Sequence, residues 1–333
     1  MERNKTLDFF RGFAALWIIL IHTCFHSGNP YVPAIVKSFS LIIDVPLFIF
    51  LAGYSLHYSE GFQKNVKRLA RMYIYYLVFL LFFFLFAIIT KSSGYNLNNV
   101  VKALFFEIND KLPLRSFDYS IWFIPMYFIV TSIGSYFLKD KNIKITHLIF
   151  ILALYGSCLY FYNNKNIAMI LMYLFLYVLG YYSFYNNLSL KKFIAMFVFI
   201  IILNILFKYL GTYGFRNLQT AKFDYDIYYL IYSMIVITLV WYLLPIFAYP
   251  FRFIPFLGRN AILLYFCQGF SSSIIYYIAP RVHLYWMWKL LLLFGINIVI
   301  CLLLFFIFYK IFDILKRPLN KVLDCWKRLR QLL

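Results

Sequence analysis

Runs of about twenty apolar residues recur along the whole of this 333-residue chain. A helix of that length rises about 1.5 Å per residue and spans the ~30 Å hydrocarbon core of a bilayer. The runs fall at roughly 11–27, 39–57, 72–90, 119–138, 145–162, 166–185, 193–210, 227–247, 261–279 and 285–312. This pattern predicts an all-α fold, a polytopic membrane bundle of about ten transmembrane helices. The short alternating segments of a membrane β-barrel do not occur. Charged residues make up only 13% of the chain, about half the share usual in soluble domains.

The formal charge of +20 would suit nucleic acid, but the basic residues sit mainly between the apolar runs. Arg3, Lys5 and Arg11 fall on one side, together with Lys64, Lys67, Arg68, Arg71, Lys139, Lys141, Lys144, Lys191, Lys192, Arg252 and Arg259. This asymmetry marks the cytoplasmic side and places both termini there, so topology rather than nucleic acid explains the charge. Residues 1–315 read as one membrane domain. In 316–333, "KRPLNKVLDCWKRLRQLL", apolar residues at helical spacing alternate with Lys and Arg. That segment reads as a cytoplasmic amphipathic tail lying on membrane lipids. Five cysteines without a CxxC pair suggest neither a disulfide framework nor a metal site. No cleavable leader is expected, and the first run reads as a retained span.

Ionisable groups inside spans are expensive and usually face a protein interior or a wet cavity. The first run, "LDFFRGFAALWIILIHTCFHSG", carries Asp8 and Arg11 near one end and His22 and His26 near the other. Eleven positions separate Arg11 from His22. On a helix that is three turns plus about 20°, so both lie on one face, about 16 Å apart along the axis. Asp8 and His26 lie within about 40° of that face. In "KNVKRLARMYIYY", Lys64, Lys67, Arg68 and Arg71 follow at i, i+3, i+4 and i+7. Besides marking the cytoplasmic side, such a face suits a multiply phosphorylated ligand. Asp44 stands near the outer end of the second run, at a depth close to that of His22. A carboxylate there could hold one imidazole nitrogen and free the other, or could bond backbone near Pro46. Two longer outer segments, 91–118 and 211–226, add Glu107 and Asp110 as candidate acceptor ligands, or as solvated loop charges.

The Arg11–x10–His22 spacing within "LDFFRGFAALWIILIH" resembles the opening signature of the acyltransferase-3 family of integral membrane acyltransferases. Further segments resemble that family in its order: "DVPLFIFLAGYSL" at Asp44, Phe48 and Gly53, and "KRLAR" at Arg68 and Arg71. "IWFIPMYF" follows at Trp122 and Phe123, and "LGRNAILLYFCQ" at Gly258 and Tyr265. Ala52, Ala261 and Gln268 depart from the family's small hydroxyl, Ser and His. The resemblance implies a bacterial inner-membrane O-acetyltransferase. Acetyl-coenzyme A would be the donor and a surface or lipid-linked glycan the acceptor. Arg11, Arg68 and Arg71, with Lys64 and Lys67, would hold the donor's phosphates, while His22 would act as base or acyl acceptor, assisted by Asp44. Trp122 joins Glu107 and Asp110 as a substrate-side candidate. An exporter or flippase for such glycans is the alternative, with polar residues in spans lining the path.

Overall fold

The computed structural model describes residues 4–27, 31–58, 61–89, 97–106, 114–138, 143–162, 164–209 and 218–332. Among these, the regular elements are fifteen α-helices and one 3₁₀ turn, with no strand. In chain order they are α1 (Lys5–His26), α2 (Ala34–Ser40), α3 (Val45–Leu56), α4 (Gly61–Ile89) and α5 (Leu97–Leu104). Then come α6 (Arg115–Ile121), α7 (Phe123–Phe137), α8 (Ile145–Tyr160), α9 (Lys165–Tyr185) and α10 (Leu190–Tyr209). The last are α11 (Leu218–Phe223), α12 (Ile227–Leu243), α13 (Phe253–Arg259), α14 (Ala261–Ile278) and α15 (Trp286–Leu332). The expected tail lies on α15, but the side chains of 316–333 fall outside the described residues.

The chain is a polytopic helical membrane protein. Among the described residues, seven segments are long and apolar enough to cross a bilayer, including Lys5–His26, Ala34–Leu56 and Trp286–Ile314. Three further apolar helices, α7, α8 and α12, are shorter, at 15, 16 and 17 residues. At 1.5 Å per residue each measures about 22–26 Å, somewhat less than the hydrocarbon core. The difference from the ten apolar runs is therefore one of length; Pro125 lies near the start of α7 and Pro245 just past the end of α12.

Two interruptions shape the interior. The Ala34–Leu56 segment breaks between α2 and α3, at Leu41–Asp44, and Asp44 precedes α3 in an extended conformation. Pro46 follows and has no N–H for the carbonyl of Ile42, four residues back, so helix cannot run cleanly through this point. The same logic applies at Trp122 between α6 and α7, where Pro125 cannot bond the Ile121 carbonyl. Non-helical backbone at membrane depth is tolerated where protein covers it or where it lines a cavity. The extended backbone at Asp44 does the latter, and Trp122, which keeps helical dihedrals, lines the same cavity.

Elsewhere the helices are joined by close backbone approach. A Cβ added at Gly12 would meet the Ile254 carbonyl, and one at Gly258 would meet the Asp8 carbonyl, so α1 and α13 touch backbone to backbone. Gly53 and Gly180 do the same for α3 and α9, against the carbonyls of Tyr177 and Phe50. In lipid, where apolar burial does not drive helices together, small residues at such crossings allow tight packing. Aromatic rings complete the interior: Phe79 of α4 sits 5.1 Å from Phe266 of α14 and 4.2 Å from Phe308 of α15, between ring centroids.

Candidate functional site

An unbroken α1 carries Arg11 and His22 on one face of the helix, as the spacing requires. His22 is buried, at 8% exposure, and lines a cavity of about 180 Å³. From α1 come Ile18, Ile21, His22, Phe25 and His26; the two helix breaks contribute Asp44 and Val45, and Ser120 and Trp122. Gln219, Lys222 and Phe223 of α11 and Tyr265 of α14 close the rest. The rings of His22 and His26 stand 5.0 Å apart, one turn along the helix. The His22 Nδ1 is buried with no hydrogen-bond partner among the described residues.

The structure seats Asp44 and Trp122 on this cavity with His22, but it does not join Asp44 to the imidazole. Asp44, 3% exposed, takes the Lys222 ammonium at 2.7 Å and the Tyr229 hydroxyl at 2.8 Å, both on Oδ2. Nor does Asp44 cap the start of α3, where no side-chain cap bond forms. The physical reason is charge: a buried carboxylate is best stabilised by an ionised donor, and Lys222 supplies one. Lys222 is itself only 7% exposed. Its ammonium lies 5.7 Å from the Trp122 ring centroid and 5.8 Å from that of Phe223, so ring faces complete its shell. Across the cavity, Tyr265 donates its hydroxyl to the Ser120 carbonyl at 2.5 Å, and the Gln268 amide stands 3.5 Å from Ser120 Oγ.

At the other end of α1, Arg11 donates to the Leu51 carbonyl at 3.3 Å and sits 3.9 Å from Asp8. The basic face of α4 divides. Arg68 is half-buried and donates to Asn65 Oδ1 at 2.6 Å, while Lys64, Lys67 and Arg71 are exposed. Asn65 is in turn fastened to α7 through the Ser135 hydroxyl at 3.0 Å and the Thr131 carbonyl at 3.1 Å. Glu107 and Asp110 lie outside the described residues.

Lys222 and Tyr229 are the functional candidates that sequence reasoning missed. In "QTAKFDYD" a lysine among carboxylates reads as a solvated loop charge, and nothing local announces burial. No group of three or more His, Cys, Asp or Glu side chains able to hold a metal occurs among the described residues. A family model described as an acyltransferase domain matches residues 4–309. Neither the comparison with curated proteins nor the one with solved structures gives a match.

Proposed function

The chain belongs to the acyltransferase-3 family, and from that premise we propose that this membrane acyltransferase moves an acetyl group from cytoplasmic acetyl-coenzyme A to a glycan hydroxyl. The glycan is one exposed at the cell surface or carried on a lipid, and the membrane is the bacterial inner membrane. Arg11 and Arg68 hold the donor's phosphates at the cytoplasmic end, with Arg71, Lys64 and Lys67 around them. The acyl arm then runs along α1 towards His22. Residues 316–333 anchor the C-terminal end on the cytoplasmic leaflet. The family match supports this reading over a glycan exporter.

In the transfer, the acceptor oxygen forms a bond to the thioester carbonyl carbon and gives its proton to His22. The carbon–sulfur bond then breaks, and the proton goes from the imidazolium to the departing thiolate. If His22 accepts the acyl group first, its ring nitrogen bonds to the thioester carbon as the carbon–sulfur bond breaks, and the thiolate leaves with the proton from the other ring nitrogen. The acceptor oxygen then bonds to that carbon as the carbon–nitrogen bond breaks and passes its proton back to the imidazole. Trp122 offers an aromatic face to the sugar.

One observation carries the reading: His22 stands on a buried cavity with a ring nitrogen that no described residue bonds. A positioned base contributes about 10²–10⁴ in rate. His22→Ala should therefore reach the membrane at normal abundance and lose the acetyl increment from surface glycans, read by mass spectrometry. Unchanged glycan acetylation in that variant would remove His22 from the chemistry.

A further inference from the structure

We propose that Lys222 is the electrophile of the transfer, stabilising the oxyanion that develops on the thioester carbonyl at the tetrahedral stage. This rests on reading the His22 cavity as the site of acyl transfer. An ammonium group has three N–H donors. One is engaged by Asp44 Oδ2 at 2.7 Å, and the remaining recorded neighbours are the faces of Trp122 and Phe223. Rings accept no conventional hydrogen bond, so two donors are left on the wall of the cavity that His22 also lines. Asp44, itself held by the Tyr229 hydroxyl, keeps the ammonium in place, and burial excludes the water that would weaken its field. Asp44 is thus a positioning residue for Lys222, in place of the imidazole-orienting partner that its depth first suggested. No redox partner is needed. Negative charge appears on the carbonyl oxygen as the acceptor oxygen bonds to carbon, and disappears when the carbon–sulfur bond breaks.

A purely structural ion pair predicts otherwise. Removing one partner leaves a buried, uncompensated charge, while removing both relieves it. The experiment compares His22→Ala, Lys222→Met, Lys222→Arg and the Asp44→Asn, Lys222→Met double variant. Glycan acetylation in cells is read beside membrane abundance, thermal unfolding and acetyl-coenzyme A affinity of the purified proteins. We expect the double variant to recover abundance and unfolding temperature relative to Lys222→Met. Acylation should stay about 10²–10³-fold below wild type, the usual cost of one oxyanion donor, with donor affinity kept within about threefold. Lys222→Arg keeps the pair but relocates the donors, so it should fold and still lose at least about tenfold. Recovery of wild-type acylation by the double variant or by Lys222→Arg, with His22→Ala inactive, overturns the role of Lys222 alone. Normal acylation in His22→Ala overturns the reading of the cavity itself.

Discussion

Replacing Asn65 by Ala separates donor binding from membrane topology at the basic end of the bundle. Asn65 is 1% exposed and makes three bonds at once. It donates to Ser135 Oγ and the Thr131 carbonyl at 3.0 and 3.1 Å, and accepts from Arg68 at 2.6 Å. The two neutral bonds are each worth about 0.5–1.5 kcal/mol net and the charge-assisted one about 1.5–3 kcal/mol. They share one amide and do not add independently, so we expect a loss of about 2–4 kcal/mol in unfolding free energy. The same substitution frees the Arg68 side chain. If that guanidinium holds donor phosphate, acetyl-coenzyme A should bind about tenfold more weakly, equivalent to about 1.4 kcal/mol. Calorimetry on detergent-purified protein reads the affinity, and thermal unfolding reads the stability. Arg68→Ala should weaken the donor further, and the double variant should bind no worse than Arg68→Ala alone. A destabilised Asn65→Ala with wild-type donor affinity would refute the reasoning. The bond would then serve only to pack α4 on α7, and Arg68 would mark topology.

Tyr229→Phe removes the phenol that reaches Asp44 at 2.8 Å, leaving the carboxylate with Lys222 alone. We expect a loss of about 1.5–3 kcal/mol in thermal unfolding and acylation reduced about tenfold; equal stability would mean the phenol contributes nothing. Gly53→Val should prevent recovery of a monodisperse protein by size-exclusion chromatography, because its Cβ meets the backbone of Tyr177. Gly156→Ala, with nothing within 4 Å of the added carbon, should elute as wild type.

Much of the fold was legible because membranes demand length and hydrophobicity, which any reader of the apolar runs can see. The Arg11 and His22 register was equally plain, since both lie on one unbroken helix and local geometry alone relates them. The interruptions were half visible: Pro46 and Pro125 stand in the sequence, but only packing decides whether a proline bends a helix or breaks it. The pairing of Asp44 was not legible. Its partners lie on α11 and just inside α12, far along the chain, and no local pattern distinguishes a buried lysine from a solvated one. The same holds for the basic face of α4. Helical spacing groups Lys64, Lys67, Arg68 and Arg71, but Asn65 selects which one turns inward.

The glycine crossings bear on what holds the walls of the His22 cavity. His22 rides on α1, joined to α13 at Gly12 and Gly258, while Asp44 opens α3, joined to α9 at Gly53 and Gly180. Each wall therefore belongs to a different clasp, and neither helix can bend away from its own partner without parting two backbones. Widening the gap between these walls would therefore require whole helix pairs to move, not side chains alone.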